Sequence, residues 1–397
     1  MVTAGVVAEY NPFHLGHQWH LQETRRRGVT HIVAVMSGCY VQRGEPALWD
    51  KWVRTRAALL GGADLIIELP LPYACATAER FAWGAASLLH ALGVVDVISF
   101  GCEAGNEEQL RICAKAIGDR RVLDAIPQEL AGGITYAVAR QRAAARFYGD
   151  QTAALLRQPN NILGAEYLLA LERLGSAIDP LAIPRRGAAH DGQGAEDGFA
   201  SASFLRQLYL QGQQQEAAAF LPPAGKALLD QAYGDGLCWQ PELLERPLLT
   251  RLRSMSREEM AALPDLSEGL ENRLYGAVRR SCTVNELLEE LKTKRYSHAR
   301  LRRLLMSAFL GIPKDFCRIS PPYLRVLGFN ERGLEILREA KKKASLPLSH
   351  SLAELERAGE TAAAFAALEA RSTDLYHLLT PSPRPCGLDY THPVIRV

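Results

Sequence analysis

Two histidines separated by a leucine and a glycine are the residues of this sequence best suited to chemistry. His14-Leu15-Gly16-His17 follows an apolar run, Val2 to Val7, that predicts a buried strand, and precedes Gln18 to Arg26, which predicts a helix. Backbone N–H groups and the positive end of the helix dipole make such a junction an anion site. Gly16 would let a phosphate approach the backbone closely. The segment therefore predicts a phosphate site with imidazole donors.

The spacing His-x-Gly-His after a first strand resembles the signature of the nucleotidyltransferase superfamily, whose members attack the α-phosphate of a nucleotide and expel pyrophosphate. That reaction needs no covalent enzyme intermediate. It needs positioned donors that hold the triphosphate and stabilise the charge developing on the α-phosphate. Two ordinary surface histidines near a turn are the alternative interpretation. Because a strand and a helix flank the motif, we expect His14 and His17 to be catalytic.

Composition excludes several classes of protein. The chain has 397 residues, enough for two or three domains of roughly 150 residues, and 48% of them are hydrophobic, as in ordinary globular proteins. No apolar run reaches about 18 residues and the N-terminus lacks a basic region, so neither a membrane span nor a signal peptide is expected. The eight cysteines form no Cys-x-x-Cys pair, which argues against a metal site and favours reduced thiols in the cytoplasm. With a net charge of +2, the chain could meet a nucleic acid only through a local basic surface.

Alternating elements in the first hundred residues must position the histidines. Continuous Val/Ile/Leu strands between amphipathic helices predict βαβ units and a parallel sheet covered on both faces. The predicted strands are Val2–Val7, His31–Met36, Asp64–Leu69 and Val94–Phe100. The predicted helices are His17–Arg26, Trp49–Leu60, Ala78–Leu92 and Glu107–Ile117. Ligands bind such sheets beyond the carboxyl ends of the strands, where the histidines, Ser37-Gly38 and Gly101 all fall.

The second half of the chain lacks this alternation. Gln128 to Leu174 has a helical pattern, and from about Phe199 to the end the pattern is mainly helical, with no βαβ unit. A Gly-rich polar loop at His190–Gly194 marks the boundary. We therefore predict an α/β fold: a Rossmann-like nucleotidyltransferase domain with a parallel sheet over residues 1–195, followed by a mainly α-helical region over residues 196–397.

Polar and basic residues beside the predicted strand ends are further candidates. The loop from Met36 to Pro46, with two glycines and an arginine, either lines an active site or is a solvated connection. Lys51, Arg54 and Arg56 on the next predicted helix either steer a polyphosphate or form a solvated helix face.

Gly101, two adjacent asparagines and Arg185 could contact a nucleotide. Gly101 would admit an adenine or a ribose against bare backbone, or simply form a turn. The amides of Asn160 and Asn161 would either cap a helix or contact the adenine edge or a ribose hydroxyl. Arg185 has the planar fork that suits bidentate phosphate binding, or would form an interdomain salt bridge.

The clearest basic run lies in the C-terminal half, around Tyr296. Its members are Lys292, Lys294, Arg295, His298, Arg300, Arg302 and Arg303. Apolar spacing from Leu301 to Ala308 predicts an amphipathic helix with its basic side chains on the outer face. A solvated helix face is the ordinary interpretation, but basic residues with an interleaved aromatic also follow an RNA backbone through phosphate contacts and stacking.

Taken together, these residues resemble the tRNA(Met) cytidine acetate ligase family, and the resemblance spans both halves of the chain. The matching segments are Gly5–His17, Met36–Gly38, Val41–Pro46, Asp50–Trp52, Gly62–Pro70, Phe100-Gly101, Asn160–Gly164, Glu268–Arg273 and Thr293–Tyr296. Two positions depart from the family pattern. Cys39 stands where the family usually has Asn or Asp, and no Tyr stands beside His190.

The resemblance implies an ATP-dependent ligase that works in two steps. Acetate is activated as acetyl-adenylate with release of pyrophosphate, and the acetyl group then passes to N4 of the wobble cytidine of elongator tRNA(Met). Mg²⁺ would accompany the triphosphate, and no DNA or membrane partner is implied. By motif match, the ATP-binding residues would be Val7, Ala8, Glu9, Tyr10, Asn11, Pro12, Phe13, His14, Leu15, Gly16, His17, Gln18, Trp19, His20, Gly101, Asn161 and Arg185. The predicted tRNA-binding residues are Lys294, Arg295, Arg300, Arg302 and Arg303.

Other functions stay open at this point. A small-molecule adenylyltransferase of cofactor biosynthesis would share the first domain but needs little beyond it, so the long helical half argues against that function. A non-catalytic RNA-binding protein that senses ATP would bind both ligands without exchanging pyrophosphate into ATP. A scaffold whose basic helices contact an acidic protein would leave His14 and His17 without a role.

Overall fold

A mostly parallel sheet organises the computed structural model, which describes residues 1–103, 106–185, 195–196, 198–266, 269–294 and 296–397. The strands of this part of the chain are β1 (Thr3–Ala8), β2 (His31–Ser37), β3 (Tyr40–Val41), β4 (Glu45–Pro46), β5 (Leu65–Leu69), β6 (Val97–Cys102), β7 (Asp179–Pro184), β8 (Ala195–Glu196), β9 (Phe199–Ala200), β10 (Leu324–Phe329), β11 (Leu348–Ser349) and β12 (Ile395–Arg396).

Helices cover both faces of the sheet and form most of the C-terminal half. They are α1 (Leu15–Arg26), α2 (Lys51–Leu60), α3 (Leu71–Ala74), α4 (Ala78–Leu92), α5 (Glu107–Gly118), α6 (Arg120–Leu130), α7 (Tyr136–Leu155), α8 (Pro159–Arg173), α9 (Ala202–Leu210), α10 (Gln214–Ala217), α11 (Pro223–Gly234), α12 (Pro241–Ser254), α13 (Arg257–Ala261), α14 (Leu270–Arg280), α15 (Val284–Leu291), α16 (His298–Leu310), α17 (Glu331–Lys343), α18 (Leu352–Leu355), α19 (Glu360–His377) and α20 (Leu388–Thr391). None of those described is long and apolar enough to span a membrane.

Strand order places a ligand crevice between β1 and β6. The sheet runs β11-β10-β5-β2-β1-β6-β7, with β12 beside β10. From β1 the chain proceeds to β2 and β5 on one side, and then returns to β6 on the other side of β1. Val6 in β1 consequently lies between Ala34 and Ser99, parallel to both strands. Such a reversal of strand order is where open α/β sheets bind ligands, beyond the carboxyl ends of the strands.

Burial on both faces explains the continuous apolar runs of the central strands. In β2, Val33 and Val35 join the core under α4 and α8, whereas Ile32 and Ala34 join the core under α1 and α2. A strand covered on both sides cannot alternate apolar with polar residues. The predicted α/β fold with a parallel sheet is therefore confirmed, as is the mainly helical character of the second half.

Two features of the sheet were not predicted. The strand β7, Asp179–Pro184, pairs in parallel with β6 and extends the sheet at one edge. On the other side of the sheet β10 pairs antiparallel with β5, and β11 lies beyond it at the edge. The expectation that no βαβ unit follows Phe199 is wrong, since β10, α17 and β11 form one with parallel strands. A buried arginine, Arg325, interrupts the apolar run of β10 and hides the pattern. The predicted domain boundary between residues 195 and 196 stays a prediction. The main sheet contains strands from both sides of that boundary.

Candidate active site

The loop after β1 places two imidazoles at the N-terminus of α1. His14 is the N-cap residue, and its Nδ1 accepts a hydrogen bond from the backbone N–H of Gly16 at 3.0 Å. The backbone N–H of His14 donates in return to Nδ1 of His17 at 3.3 Å. This reciprocal arrangement is a capping box, which usually uses hydroxyl and carboxylate groups. Here it fixes the orientation of both rings.

Hydrogen bonding also determines which ring nitrogens carry protons. Since Nδ1 of each ring accepts a backbone N–H, the proton of each ring is assigned to Nε2. The two ring centroids lie 3.8 Å apart, with the ring planes tilted by 31°. Burial, reinforced by the charges of Arg185 and Arg206, lowers the pKa of His14 to about 3. His14 is thus a neutral N–H donor near neutral pH until an anion arrives.

Aromatic side chains support the histidine pair from one side. The ring of Tyr10 lies 5.0 Å from His17 and 4.9 Å from Phe13, with both rings edge-on to it. Tyr10 and Phe13 are almost fully buried. Tyr10 also holds a left-handed backbone with a φ of 47°, a conformation uncommon for a non-glycine residue and concentrated at functional sites. The turn before α1 is therefore rigidly held.

A buried guanidinium joins the ends of β1 and β2. Arg54 donates to the carbonyls of Trp49 and Ser37, each at 3.0 Å, and of Glu9 at 2.5 Å. It also donates to the carbonyl of Gly38. Arg54 is fully buried in α2, so it orients the loop backbone and does not meet solvent. The interpretation of Arg54 as a steering charge for polyphosphate is wrong, and so is that of a solvated face.

Lys51 is likewise turned inward. Its ammonium lies 2.7 Å from a carboxylate oxygen of Glu68 and 2.6 Å from one of Asp389. Both partners are buried, and Lys51 itself is fully covered. Of the three basic residues predicted on this helix, Arg56 alone is exposed. Steering of a polyphosphate by this helix is therefore not supported for Lys51, because ion pairs in the interior hold its charge.

Gly101 and Arg185 meet at the carboxyl ends of β6 and β7. A Cβ atom at Gly101 would lie 3.2 Å from Cγ of Arg185, so the bare backbone leaves room for the arginine stem. The backbone N–H of Arg185 donates to the carbonyl of Cys102 at 3.1 Å, and its guanidinium donates to the Asn160 side chain at 3.2 Å. Arg185 is exposed at this edge, and its charge contributes to lowering the pKa of His14.

Asn161 ties the start of α8 to the end of β6. Its side-chain oxygen accepts the backbone N–H of Glu103 at 3.0 Å, and its backbone N–H donates to the Glu103 carboxylate at 3.0 Å. Its amide N–H₂ donates to the carbonyl of Leu155 at 3.2 Å. These bonds give the fully buried Asn161 a role in holding the loop beside Gly101.

The rest of the predicted ATP-binding run lines or supports the same crevice. His20 bonds Ser99 of β6 at 3.0 Å, and burial beside Arg185 lowers the pKa of His20 to about 4. The buried Asn11 accepts the backbone N–H of Leu48 at 2.7 Å. The half-buried members are Val7, Ala8, Glu9, Leu15, Gly16, Gln18 and Trp19, and Pro12 is buried.

The loop between β2 and α2 folds into the hairpin β3–β4 and contacts the run after β1. The backbone N–H of Gln42 donates to the Glu9 carboxylate at 2.9 Å, and burial raises the pKa of that carboxyl. Cys39 is buried in the core, 3.9 Å from the hydroxyl of Thr373, and burial raises its pKa to about 12. This departure from the family pattern therefore faces α19. The other departure, at His190, lies outside the described residues.

Arg206 on α9 is a site residue that sequence reasoning missed. Its guanidinium donates to the carbonyl of Asn11 at 2.9 Å and lies 3.5 Å from the Glu45 carboxylate. Its charge contributes to lowering the pKa of His14. No motif surrounds Arg206 in the sequence. Only the docking of α9 against the loop brings it there, so a local pattern carries no signal for it.

The structure divides the predicted tRNA-binding residues. Lys294 lines an open cleft of about 460 Å³, together with Arg273 and Tyr296. By contrast, Arg300 and Arg303 both contact Asp265. The Arg300 guanidinium donates to the backbone carbonyl of Asp265 at 2.7 Å, and the Arg303 guanidinium lies 3.5 Å from the Asp265 carboxylate. These two arginines hold the fold of the helical region.

Two further members of that set remain. Arg302 is about half exposed and lies 3.8 Å from the Glu45 carboxylate. Arg295 lies outside the described residues. Only Lys294 and Arg302, of the described members, present their charge outward.

A second basic and aromatic cluster lies on α13 and α14. The guanidinium carbons of Arg257 and Arg279 lie 4.4 Å and 3.1 Å from the centre of the Tyr275 ring. Both arginines are exposed. Guanidinium planes and aromatic rings are the groups on which unpaired RNA bases stack. Arg279 follows Tyr275 by four residues on α14, but Arg257 precedes it by 18 residues and reaches the ring only because α13 packs against α14. No local sequence pattern therefore predicts the full cluster.

Comparisons with known proteins agree with this geometry. The family model described as HIGH Nucleotidyl Transferase matches residues 1–388. Two proteins named tRNA(Met) cytidine acetate ligase are similar over 100% of both chains: 38% identical in Thermoanaerobacter sp. and 36% in Acetivibrio thermocellus. Crystal structures of Thermotoga maritima TmcAL are 31% identical and cover 100% of this chain. The form bound with alpha-thio ATP has a TM-score of 0.93 and the apo form one of 0.95.

Proposed function

Because the chain belongs to the tRNA(Met) cytidine acetate ligase family, we propose that it acetylates N4 of the wobble cytidine of elongator tRNA(Met), using ATP and acetate. The observation that carries the proposal is the close pair of imidazoles, His14 and His17, at the helix N-terminus, with the charges of Arg185 and Arg206 acting on His14. This arrangement supplies neutral donors and fixed positive charge to a triphosphate.

In the first step an acetate oxygen attacks the α-phosphorus of ATP. A new phosphorus–oxygen bond forms, the bond to the bridging oxygen breaks, and pyrophosphate leaves with its electron pair. The backbone N–H groups at the start of α1 and the imidazole donors of His14 and His17 would stabilise charge on the phosphoryl oxygens. Arg185 would hold the departing phosphates as a bidentate donor. The product is acetyl-adenylate.

In the second step the cytidine amine attacks the acetyl carbonyl, loses a proton, and releases AMP. An anticodon loop is single-stranded, so its bases can be turned outward into a protein pocket. We propose that the outward-facing Lys294 and Arg302 contact the tRNA backbone, and that the reaction takes place in the cytoplasm, where the tRNA resides.

Mg²⁺ would enter with the triphosphate as part of the substrate. Within the described ranges, no three His, Cys, Asp or Glu side chains are grouped so as to hold a metal ion. Mg²⁺ in phosphate-transfer sites keeps several waters and is bound largely by the substrate phosphates. The residues of this crevice fit that mode because they are mainly donors to the phosphates themselves.

Acetate-dependent exchange of labelled pyrophosphate into ATP tests the proposal directly. The purified protein is assayed with and without acetate, and a parallel tube with total tRNA is searched for N4-acetylcytidine. Exchange that requires acetate, together with the modified nucleoside, would support both steps. ATP binding without exchange in either tube would contradict the ligase and favour an ATP-sensing RNA binder. Exchange without acetate would point to another adenylyl acceptor.

A further inference from the structure

One carboxylate lies between two arginines that come from different helices. Glu45, in the hairpin β3–β4, places one oxygen 3.5 Å from Arg206 and the other 3.8 Å from Arg302. The Glu45 side chain is only 19% exposed, so water screens these pairs less than it would at the open surface. The hairpin thus links α9 to α16 through charge.

Arg206 connects this carboxylate to the loop over the crevice. Its guanidinium donates to the carbonyl of Asn11 at 2.9 Å. Asn11 directly follows Tyr10, whose left-handed backbone begins the turn toward His14. The Arg206 side chain is 14% exposed, so its position is well defined by packing. A planar guanidinium can satisfy a carbonyl and a carboxylate at once, which an ammonium does less well.

Arg302 connects the same carboxylate to the basic helix. The hairpin reaches α16 closely because its turn residue is glycine. Gly44 has a φ of 71°, and a Cβ atom there would collide with the backbone of Arg302 and Arg303. About half of the Arg302 side chain remains exposed beside this contact. The contact with the hairpin β3–β4 therefore fixes the position of α16. Through Glu45 and Arg206, the same hairpin is also connected to the loop beside the crevice.

We propose that Arg206 is a positioning residue of the ATP site and that Glu45 holds Arg206 and Arg302 in a fixed relation. The loop over the nucleotide and the helix that meets the tRNA are thereby joined through one carboxylate. This inference rests on the proposed function. In this arrangement the hairpin β3–β4 aligns the acceptor tRNA with the adenylate.

The first test measures ATP affinity by titration calorimetry, independently of catalysis. Arg206→Ala weakens ATP binding about 10- to 100-fold, the usual loss for a charge-assisted hydrogen bond. Arg206→Lys recovers part of that loss, because one ammonium replaces only part of the fork. Wild-type affinity in Arg206→Ala would overturn the inference. Reduced thermal stability with unchanged ATP affinity would do the same, since it would show a merely structural role.

The second test asks whether Glu45 serves both sides. Glu45→Gln keeps the shape but removes the charge, so it raises the KM for ATP in pyrophosphate exchange and the KM for tRNA in acetylation. In the double variant Glu45→Gln and Arg206→Ala, the increase in the KM for ATP is smaller than the two single effects combined, because the two side chains act as one unit. A matched control is Glu129→Gln, which breaks a similar pair with Arg142 at 3.9 Å, away from the crevice. Only the Glu45 variant moves both KM values.

These outcomes separate the inference from the function on which it depends. Absence of exchange in the wild-type protein would contradict the ligase, while calorimetry would still decide whether Arg206 orders the ATP loop. Normal exchange in the wild-type protein with additive effects in the double variant would leave the ligase standing and overturn the link through Glu45.

Discussion

At the scale of single residues, the caps of α1 do chemistry as well as folding. A helix N-cap is usually Ser, Thr, Asp or Asn, whose short side chain binds a backbone N–H and nothing more. An imidazole in the same role accepts through Nδ1 and keeps a second nitrogen as a donor. His14 and His17 therefore convert a local folding device into a pair of aligned donors.

Replacing His14 separates these two roles. His14→Ala lowers the rate of acetyl-adenylate formation about 10²- to 10³-fold, as for loss of a donor to a developing oxyanion. His14→Asn restores the cap acceptor, so its thermal unfolding midpoint returns toward wild type while the rate stays low. Rapid-quench measurement of adenylate formation checks both variants. Recovery of the rate in His14→Asn would show that His14 acts only as a cap.

Two basic residues of one sequence run are predicted to behave differently. Lys294→Ala raises the KM for tRNA, and lowers the slope of log KM against log salt by about one, because one phosphate contact is lost. Arg303→Ala mainly lowers stability, because the nearly buried Arg303 pairs with Asp265. Acetylation kinetics across a salt series and thermal unfolding distinguish them. Equal salt slopes for Lys294→Ala and wild type would remove Lys294 from the tRNA contact.

At the scale of elements, a buried side chain of α2 holds the backbone that forms the crevice. The guanidinium of Arg54, fully buried in α2, collects carbonyls from the ends of β1 and β2. Glu9 directly follows β1 and Ser37 is the last residue of β2, so the buried guanidinium supplies donors to carbonyls at the strand ends, where water is excluded. The position of the loop before α1 thus depends on a helix that never meets the ligand.

Arg54→Lys tests this dependence. A single ammonium cannot reach carbonyls spread over two loops, so the change destabilises the protein by about 2–4 kcal/mol. Denaturant unfolding measures the loss, and the affinity for ATP falls with it. Arg56→Lys, one half-turn away and exposed, is the control and shifts stability by less than about 0.5 kcal/mol. Equal stability in the two variants would show that the hydrogen bonds from Arg54 to these carbonyls do not hold the loop.

At the scale of the whole molecule, buried charges join the two halves of the chain. Lys51 and Glu68 come from the first half, and Arg325 and Asp389 from the second. Arg325 lies 2.9 Å from Glu68 and also pairs with Asp389. Beside them, burial and then the charge of Glu68 raise the pKa of Glu369 to about 8. Two cations thus balance two carboxylates, while burial favours the protonated form of the fifth group, Glu369.

Glu369→Gln is predicted to change the pH dependence of stability. The folded pKa of about 8 exceeds the ordinary value of 4.5, so folding favours the protonated carboxyl. The stability that the protonated Glu369 contributes is fully present below pH 4.5 and is lost as the pH rises through about 8. Gln lacks this titration, so its melting temperature gains several °C on wild type between pH 5 and 9. The control is Glu360→Gln, which removes an exposed carboxyl from the same helix outside the buried cluster. A constant difference for Glu369→Gln would contradict the raised pKa.

The sequence by itself determined the central strands, the first helices and the histidine pair. These features depend on neighbours within a few residues: continuous apolar runs, a capped turn and the spacing His14-Leu15-Gly16-His17. Local spacing decides which face of a strand is buried and where a helix begins. The expected boundaries of α1 and α4 agree with the structure to within two residues.

Only the tertiary structure decided which charges turn inward and which distant residues meet. Arg54 and Lys51 have the same local spacing as solvated helix residues, and burial by later segments of the chain makes them structural. Arg206 reaches the site from α9, and β10 joins the sheet from more than 250 residues beyond β5. Such contacts depend on non-local packing, in which the burial of a charge is stable only when a distant partner arrives to satisfy it.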